Sequence, residues 1–287
     1  MIELSRNGVV TRIDPTEGGR IVSLVIAGAE RILPKALARA HEPALFWGCY
    51  PMVPWPGRLS HGRIPTSDGE VRLDANLPPS AIHGLGFDKP WEILERNETA
   101  VTMRCELHGL GWPFGGHALH TLRLMKGGLE LELSLGGYTR AGPAGLGWHP
   151  WFTRPSGGDI ELRVDSSEVL ELDADLAPTG EVRQVGPIED LREGVPLGSR
   201  RLDHVYIRTT GPVLVRWPDL ELRMENDQSL QTVVVHTPPE GVCVEPETMW
   251  PNAPLLAAAG VSGTGIRTLE PGAALSASSA WIWSVAS

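Results

Sequence analysis

The chain has 287 residues, 41% of them apolar, and a formal net charge of −10. That size allows a sizeable core in one large domain or two small ones, and the acidic balance argues against nucleic acid and anionic membrane as partners. The opening MIELSRNGVV has no basic region followed by an apolar run, and no apolar stretch approaches the roughly 20 residues of a membrane helix, so neither a secretory signal nor a span is expected.

In chain order, PKALARAHE (34–42) predicts a short helix opening on Pro34. From there the dominant signal is period two. VTMRCEL puts Val101, Met103, Cys105 and Leu107 on one face, and LELELSL does the same with Leu129, Leu131, Leu133 and Leu135. DIELRV (159–164) and LELRM (220–224) alternate likewise. Such alternation predicts half-buried antiparallel strands. KGG (126–128) and LGG (135–137) are expected as hairpin turns, and EDLREG near 189 as a single helical turn. No long stretch of period 3.6, no fixed repeat and no low-complexity linker interrupts the pattern. The expectation is an all-β chain, one domain over 1–287, built as a large antiparallel β-sandwich with few short helices. Cys49, Cys105 and Cys243 are dispersed and form no CxxC pair, which predicts no disulfide framework and a reducing, cytoplasmic setting.

Four stretches break the strand pattern: MVPWPGRLSHGRI (52–64), IHGLGFDKPWEI (82–93), GLGWHPWF (145–152) and VCVEPETMWPNAP (242–254). Each joins Trp with Pro or Gly and with His, Arg or Glu. Such groups suit a sugar: aromatic rings cover its apolar C–H face, while charged side chains satisfy its hydroxyl rim. On a sandwich, residues far apart in sequence can converge on one sheet face.

Each candidate has two readings. His149, between Trp148 and Pro150, is either a packed histidine or a general acid tuned by desolvation and a nearby carboxylate. Glu245, ending the apolar run VCV, is either a structural acceptor or a base, with Glu247 as competitor. His83 before Gly84 is a turn residue or a ligand contact. Arg58 is a solvated surface group or a sugar donor stacked by Trp55 or Trp91. Asp203 in RLDHVY caps a turn or accepts from a hydroxyl. Metal chemistry is poorly signalled. His117 and His120, three apart, face opposite sides of a strand, and His41, His61, His204 and His236 have no spaced partners. No P-loop and no G-x-S-x-G elbow is present.

Taken together and in order, these stretches resemble the aldose 1-epimerase, or galactose mutarotase-like, family. PWPGRLSHGRI is similar to its Asn-Arg-Ile and Gly-Arg-Phe segment, and HGLGFDKPWEI to its His-Gly segment with a downstream Pro-Trp. GWHPWF is similar to its His-Pro-Tyr-Phe signature, RLDHVY to its sugar-binding Asp segment, and VCVEPETMWPNAP to its Glu-Pro-Gln-Thr variant. The resemblance implies the family's β-supersandwich with a cleft on one sheet. It implies His149 as acid on the ring oxygen, Glu245 as base on the anomeric hydroxyl, and His83, Arg58 and Asp203 as groups that bind hydroxyls or steady the ring oxygen. Trp151 stands at the Tyr position and Phe87 where relatives have Arg or Trp, so both are expected at the substrate. Gly57 replaces Asn, and Glu247 occupies the Gln position.

The implied activity is interconversion of the α and β anomers of an aldose, without metal or organic cofactor, by a monomer or homodimer whose partner is a small monosaccharide. Two alternatives remain. A hexose-6-phosphate 1-epimerase would need basic residues at the cleft mouth, for which Arg58, Arg63 and Lys89 are the candidates. A non-catalytic sugar-binding protein would not need both His149 and Glu245.

Overall fold

The computed structural model describes residues 1–38 and 44–285. Two large antiparallel sheets dominate. The first has eleven strands among the described residues. From edge to edge its path runs Ile2–Arg6, Val9–Asp14, Arg20–Ile26, Cys49–Met52, Gly147–Phe152, Val242–Glu247, Thr232–His236, Asp203–Ile207, Glu168–Leu172 and Pro178–Gln184, with Ala29–Glu30 paired off the path. The second has nine: Glu92–Arg96, Ala100–Glu106, Gly115–Met125, Gly128–Tyr138, Ala274–Val285, Leu220–Asn226, Val213–Trp217, Glu161–Arg163 and Val195–Pro196.

The alternation in the sequence explains the layers. Leu129, Leu131, Leu133 and Leu135 are buried, and across the ladder Leu131 meets Leu122 and Leu135 meets Ala118. Val101, Met103, Cys105 and Leu107 continue the same apolar face. Each such leucine removed from water stabilises the fold by about 1.5–3 kcal/mol. The main hydrophobic cluster draws on both large sheets. One polar bridge crosses it. His120 of the nine-stranded sheet accepts a hydrogen bond from Trp148 Nε1 at 3.1 Å, while its Nδ1 meets the Gly19 carbonyl at 3.2 Å.

Several local expectations need correction. LGG at 135–137 is no turn; the strand runs on to Tyr138. Gly137 and Gly116 have φ of 71° and 92°, and a Cβ on Gly137 would stand 2.8 Å from His117 Nδ1, so these glycines serve a crowded strand pairing. Of the helix expected over 34–42, the described part holds only a 3-10 turn, Lys35–Leu37, and Ala38 is already extended. Its remainder, with His41, lies in 39–43, outside the described residues. EDLREG forms a turn closed by Glu189 and Asp190 N–H groups on the Gly186 carbonyl, not a helix. A six-residue α-helix, Ala253–Ala258, was not foreseen. All three cysteines are buried, and none forms a disulfide. No helix among the described residues is long and apolar enough to cross a membrane.

Candidate active site

At the centre of the eleven-stranded sheet, Gly147–Phe152 and Val242–Glu247 lie side by side, with Gly147 opposite Glu247 and Trp151 opposite Cys243. That register sets His149 across from Glu245. Pro150 and Pro246 adjoin these two residues and cannot donate to the ladder. His149 Nε2 stands 3.3 Å from Glu245 Oε1, and both residues are buried, at 5% and 3% exposure. On the other flank His149 pairs with Tyr50, their ring centroids 4.8 Å apart. Trp151 lies nearly parallel to the imidazole, at 5.5 Å and 10°. Its indole N–H is held by the Leu45 carbonyl.

The other side chains arrive from separate elements. Arg58 and Ile82 pair in a small ribbon, Arg58–Leu59 with Ala81–Ile82, which delivers Arg58 and His83 together. His83 takes a left-handed φ of 61°, its N–H bonded to the Gly57 carbonyl at 2.9 Å. Gly84 follows because a Cβ there would lie 1.9 Å from the Val53 carbonyl oxygen. The His83 and His149 rings meet edge to face at 4.7 Å. Asn252, just before the short helix, ties the ribbon to the end of the Glu245 strand: its N–H donates to the Arg58 carbonyl, and its side-chain oxygen accepts from the Ser60 N–H. Asp203 comes from the next strand but one, where His236 Nδ1 lies 3.5 Å from its carboxylate.

Together these groups line a cavity of about 250 Å³. Arg58, His83, His149, Trp151, Asp203, His236, Glu245 and Glu247 supply its polar and aromatic walls, and Leu45, Phe46, Leu77 and Leu176 its apolar ones. Seven of the residues singled out from sequence, His149, Glu245, His83, Arg58, Asp203, Trp151 and Glu247, thus converge. Phe87 does not line the cavity. It packs behind Tyr50 at 5.8 Å, and its carbonyl accepts from Arg20. Nor do Trp55 and Trp91 stack on Arg58. Trp55 stacks on Trp112, and Trp91 donates to the Gly86 carbonyl. His236 also lines the cavity although it has no spaced partner in the sequence; its position at the end of the apolar strand TVVVH is the available signal.

Burial sets the electrostatics. It drives His149 well below the usual imidazole range, helped by His83 and His236. His83 is pushed down to about 3 by burial, with Arg58 and His236 adding to it. Glu245 is raised well above a normal carboxylate, first by burial, then by Glu247 and Asp203, against the pull of Arg58. Asp203 is also pushed up by burial, but His236, Arg58 and His204 together outweigh this and hold it low. The donor atoms of His83, His149 and Glu245 fall within 4.8 Å of one another. Metal-ligating histidines normally give their second nitrogen to an orienting acceptor, yet among the described residues Nδ1 of His83 has none. The set therefore suits proton exchange better than metal ligation.

The paired sheets, with a polar cleft across the middle of one, define a galactose mutarotase-like fold. The chain belongs to the aldose 1-epimerase family, whose model matches residues 1–280. It is 23% identical over 253 residues to the uncharacterized protein YihR of Escherichia coli (strain K12), covering 83% of this chain and 80% of YihR. A galactose mutarotase-like protein from Clostridium acetobutylicum superposes with a TM-score of 0.86 at 17% identity, over 99% of this chain and 95% of that one. Galactose 1-epimerase from Lactobacillus acidophilus NCFM gives 0.79 at 15% identity, over 99% and 94%.

Proposed function

We propose that the protein is an aldose 1-epimerase acting on a neutral aldose, with His149 and Glu245 carrying the proton transfers. The observation that carries this reading is the buried 3.3 Å contact between His149 Nε2 and Glu245 Oε1 in a sugar-sized cavity. The couple shares one proton. With the proton on His149, the imidazolium is a strong acid and the carboxylate a strong base, because burial disfavours both charges.

A pyranose entering the cavity receives the His149 proton on its ring oxygen while Glu245 takes the proton of the C1 hydroxyl. The bond from C1 to the ring oxygen breaks and the open aldehyde forms. The proton inventory is then neutral His149 and protonated Glu245, the other one-proton state of the same couple. After rotation about C1–C2, Glu245 returns its proton to the aldehyde oxygen and His149 takes back the one on the ring-oxygen hydroxyl. Ring closure on the opposite face restores the starting state. Each placed proton carrier contributes about 10²–10⁴ in rate. Arg58, Asp203 and His83 are assigned to hydroxyl and ring-oxygen contacts, and Trp151 to the apolar wall.

The charge around the cavity favours an uncharged sugar. Arg63 is paired with Glu70 at 2.7 Å and Lys89 with Asp88 at 3.2 Å, and neither lines the cavity. Arg58 is left beside the ionised Asp203 and the proton-carrying Glu245, a poor setting for a phosphate dianion. Polarimetry of freshly dissolved α-aldoses and their 6-phosphates tests this. Acceleration of a neutral aldose is expected, with the phosphate slower. Calorimetric binding without any acceleration would mean a sugar-binding protein instead.

A further inference from the structure

Glu247 is the one acid of the cavity that nothing in the mechanism uses. It is fully buried at 0% exposure, and among the described residues neither carboxylate oxygen has a hydrogen-bond partner. Because the strand continues through Pro246, Glu247 projects to the same face as Glu245, two residues away. Its cross-strand neighbours, Gly147 and Thr232, bring no charge. The titratable and charged groups around this cavity are Glu245 on its own strand, His149 on the adjacent strand, Arg58 and His83 on the ribbon, and Asp203 and His236 beyond. The contacts of these groups go elsewhere: His149 to Glu245, and His236 to Asp203. Two carboxylates buried on the same face of one strand, two residues apart, cannot both be ionised at modest cost.

We propose that Glu247 is a positioning residue for Glu245: it keeps its own proton while Glu245 works as the base, and losing that proton ends activity on the alkaline side. An ionised Glu247 would hold the couple's proton on Glu245, which is then no base. The neutral acid leaves that proton free to move to His149. Burial, which raises Glu247 well above a normal carboxylate, works in the same direction.

This inference rests on Glu245 being the base, but its first test needs no turnover. Infrared difference spectra of the whole protein at neutral pH read the carbonyl band of a protonated carboxylic acid. The band is expected in the wild type and retained in Glu245→Gln, where Glu247 is the remaining acid of the pair. A wild type without the band, or a band lost in Glu245→Gln, overturns the proposal. The wild-type and Glu245→Gln spectra decide it even where Glu247→Gln folds poorly. The second readout is the pH profile of kcat. Above the pH at which the Glu247 band vanishes, wild-type kcat should fall about tenfold per unit, and Glu247→Gln should move that limb upward by about a unit or more. An alkaline limb unchanged in Glu247→Gln contradicts the proposal. Loss of the base assignment alone would show instead as Glu245→Gln remaining active.

Discussion

Asp203 and His236 face each other across two adjacent strands, carboxylate to imidazole Nδ1 at 3.5 Å, at the rim of the cavity. The contact, with Arg58 nearby, holds Asp203 ionised although burial opposes it. An ionised acceptor at the rim is suited to a sugar hydroxyl. Asp203→Asn should raise KM for the preferred aldose about tenfold or more, the cost of a weakened charge-assisted hydrogen bond, with a smaller effect on kcat. Initial-rate kinetics on the variant would check the split. A fall in kcat with unchanged KM would place Asp203 in the chemical step instead.

The meeting of these two residues marks the boundary of what the sequence reveals. Period-two alternation was local, so the strands through Leu129–Leu135 and Val101–Leu107 could be read directly. His149, Glu245, His83, Arg58 and Asp203 stood out because Pro, Gly and Trp interrupted that alternation around them. What could not be read depended on register between distant segments. His236 gains its meaning only from lying opposite Asp203. Glu247 joins the site only because its strand passes through Pro246 without turning. Phe87 is drawn behind Tyr50 by the loop that Arg20 ties down. The helix Ala253–Ala258 is too short to display a 3.6-residue period.

His120 predicts a specific acid sensitivity. It is fully buried between Trp148 and the Gly19 carbonyl, and burial pushes it down to about 4, against a partial lift from Gly19. A histidine lowered on folding is protonated first in the unfolded chain. Its contribution to stability is therefore complete above the unfolded value near 6.5 and is lost as pH falls toward 4. About 2 kcal/mol should disappear between pH 7 and pH 5 from this residue alone. Denaturant melts at the two pH values should show the loss in the wild type and a smaller one in His120→Gln, whatever that variant's stability at pH 7. Equal losses in both proteins would remove His120 as the cause.

Arg20 is the mechanical support behind the site. Its guanidinium donates to the carbonyls of Glu17, Ala44, Trp47 and Phe87 and lies over the Trp47 and Tyr50 rings. Arg20→Leu leaves these carbonyls without their donors. It should cost about 3 kcal/mol or more and lower Tm by about 6 °C. A calorimetric Tm within a degree or so of the wild type would show that the segments are held by other contacts.

Gly84 should tolerate no side chain. Its φ is 79°, and a Cβ would fall 1.9 Å from the Val53 carbonyl oxygen, so the backbone carrying His83 would have to move. Gly84→Ala should destabilise by about 2 kcal/mol or more and reduce kcat, because a shift of about 1 Å at His83 misaligns the site. Chemical denaturation with parallel activity assays would check both effects. Unchanged kcat in a folded variant would separate His83 from the chemistry.

In the proposed mechanism His149 and Glu245 exchange protons with the two oxygens on C1 of one pyranose. The most direct measurement is the polarimetric kcat for anomer interconversion in wild type, His149→Asn and Glu245→Gln, on variants shown to be folded. The account predicts that each substitution lowers kcat by about 10²–10⁴, and that combining them costs little more, since the two groups act as one couple. Either single variant retaining kcat within about tenfold of the wild type would contradict it.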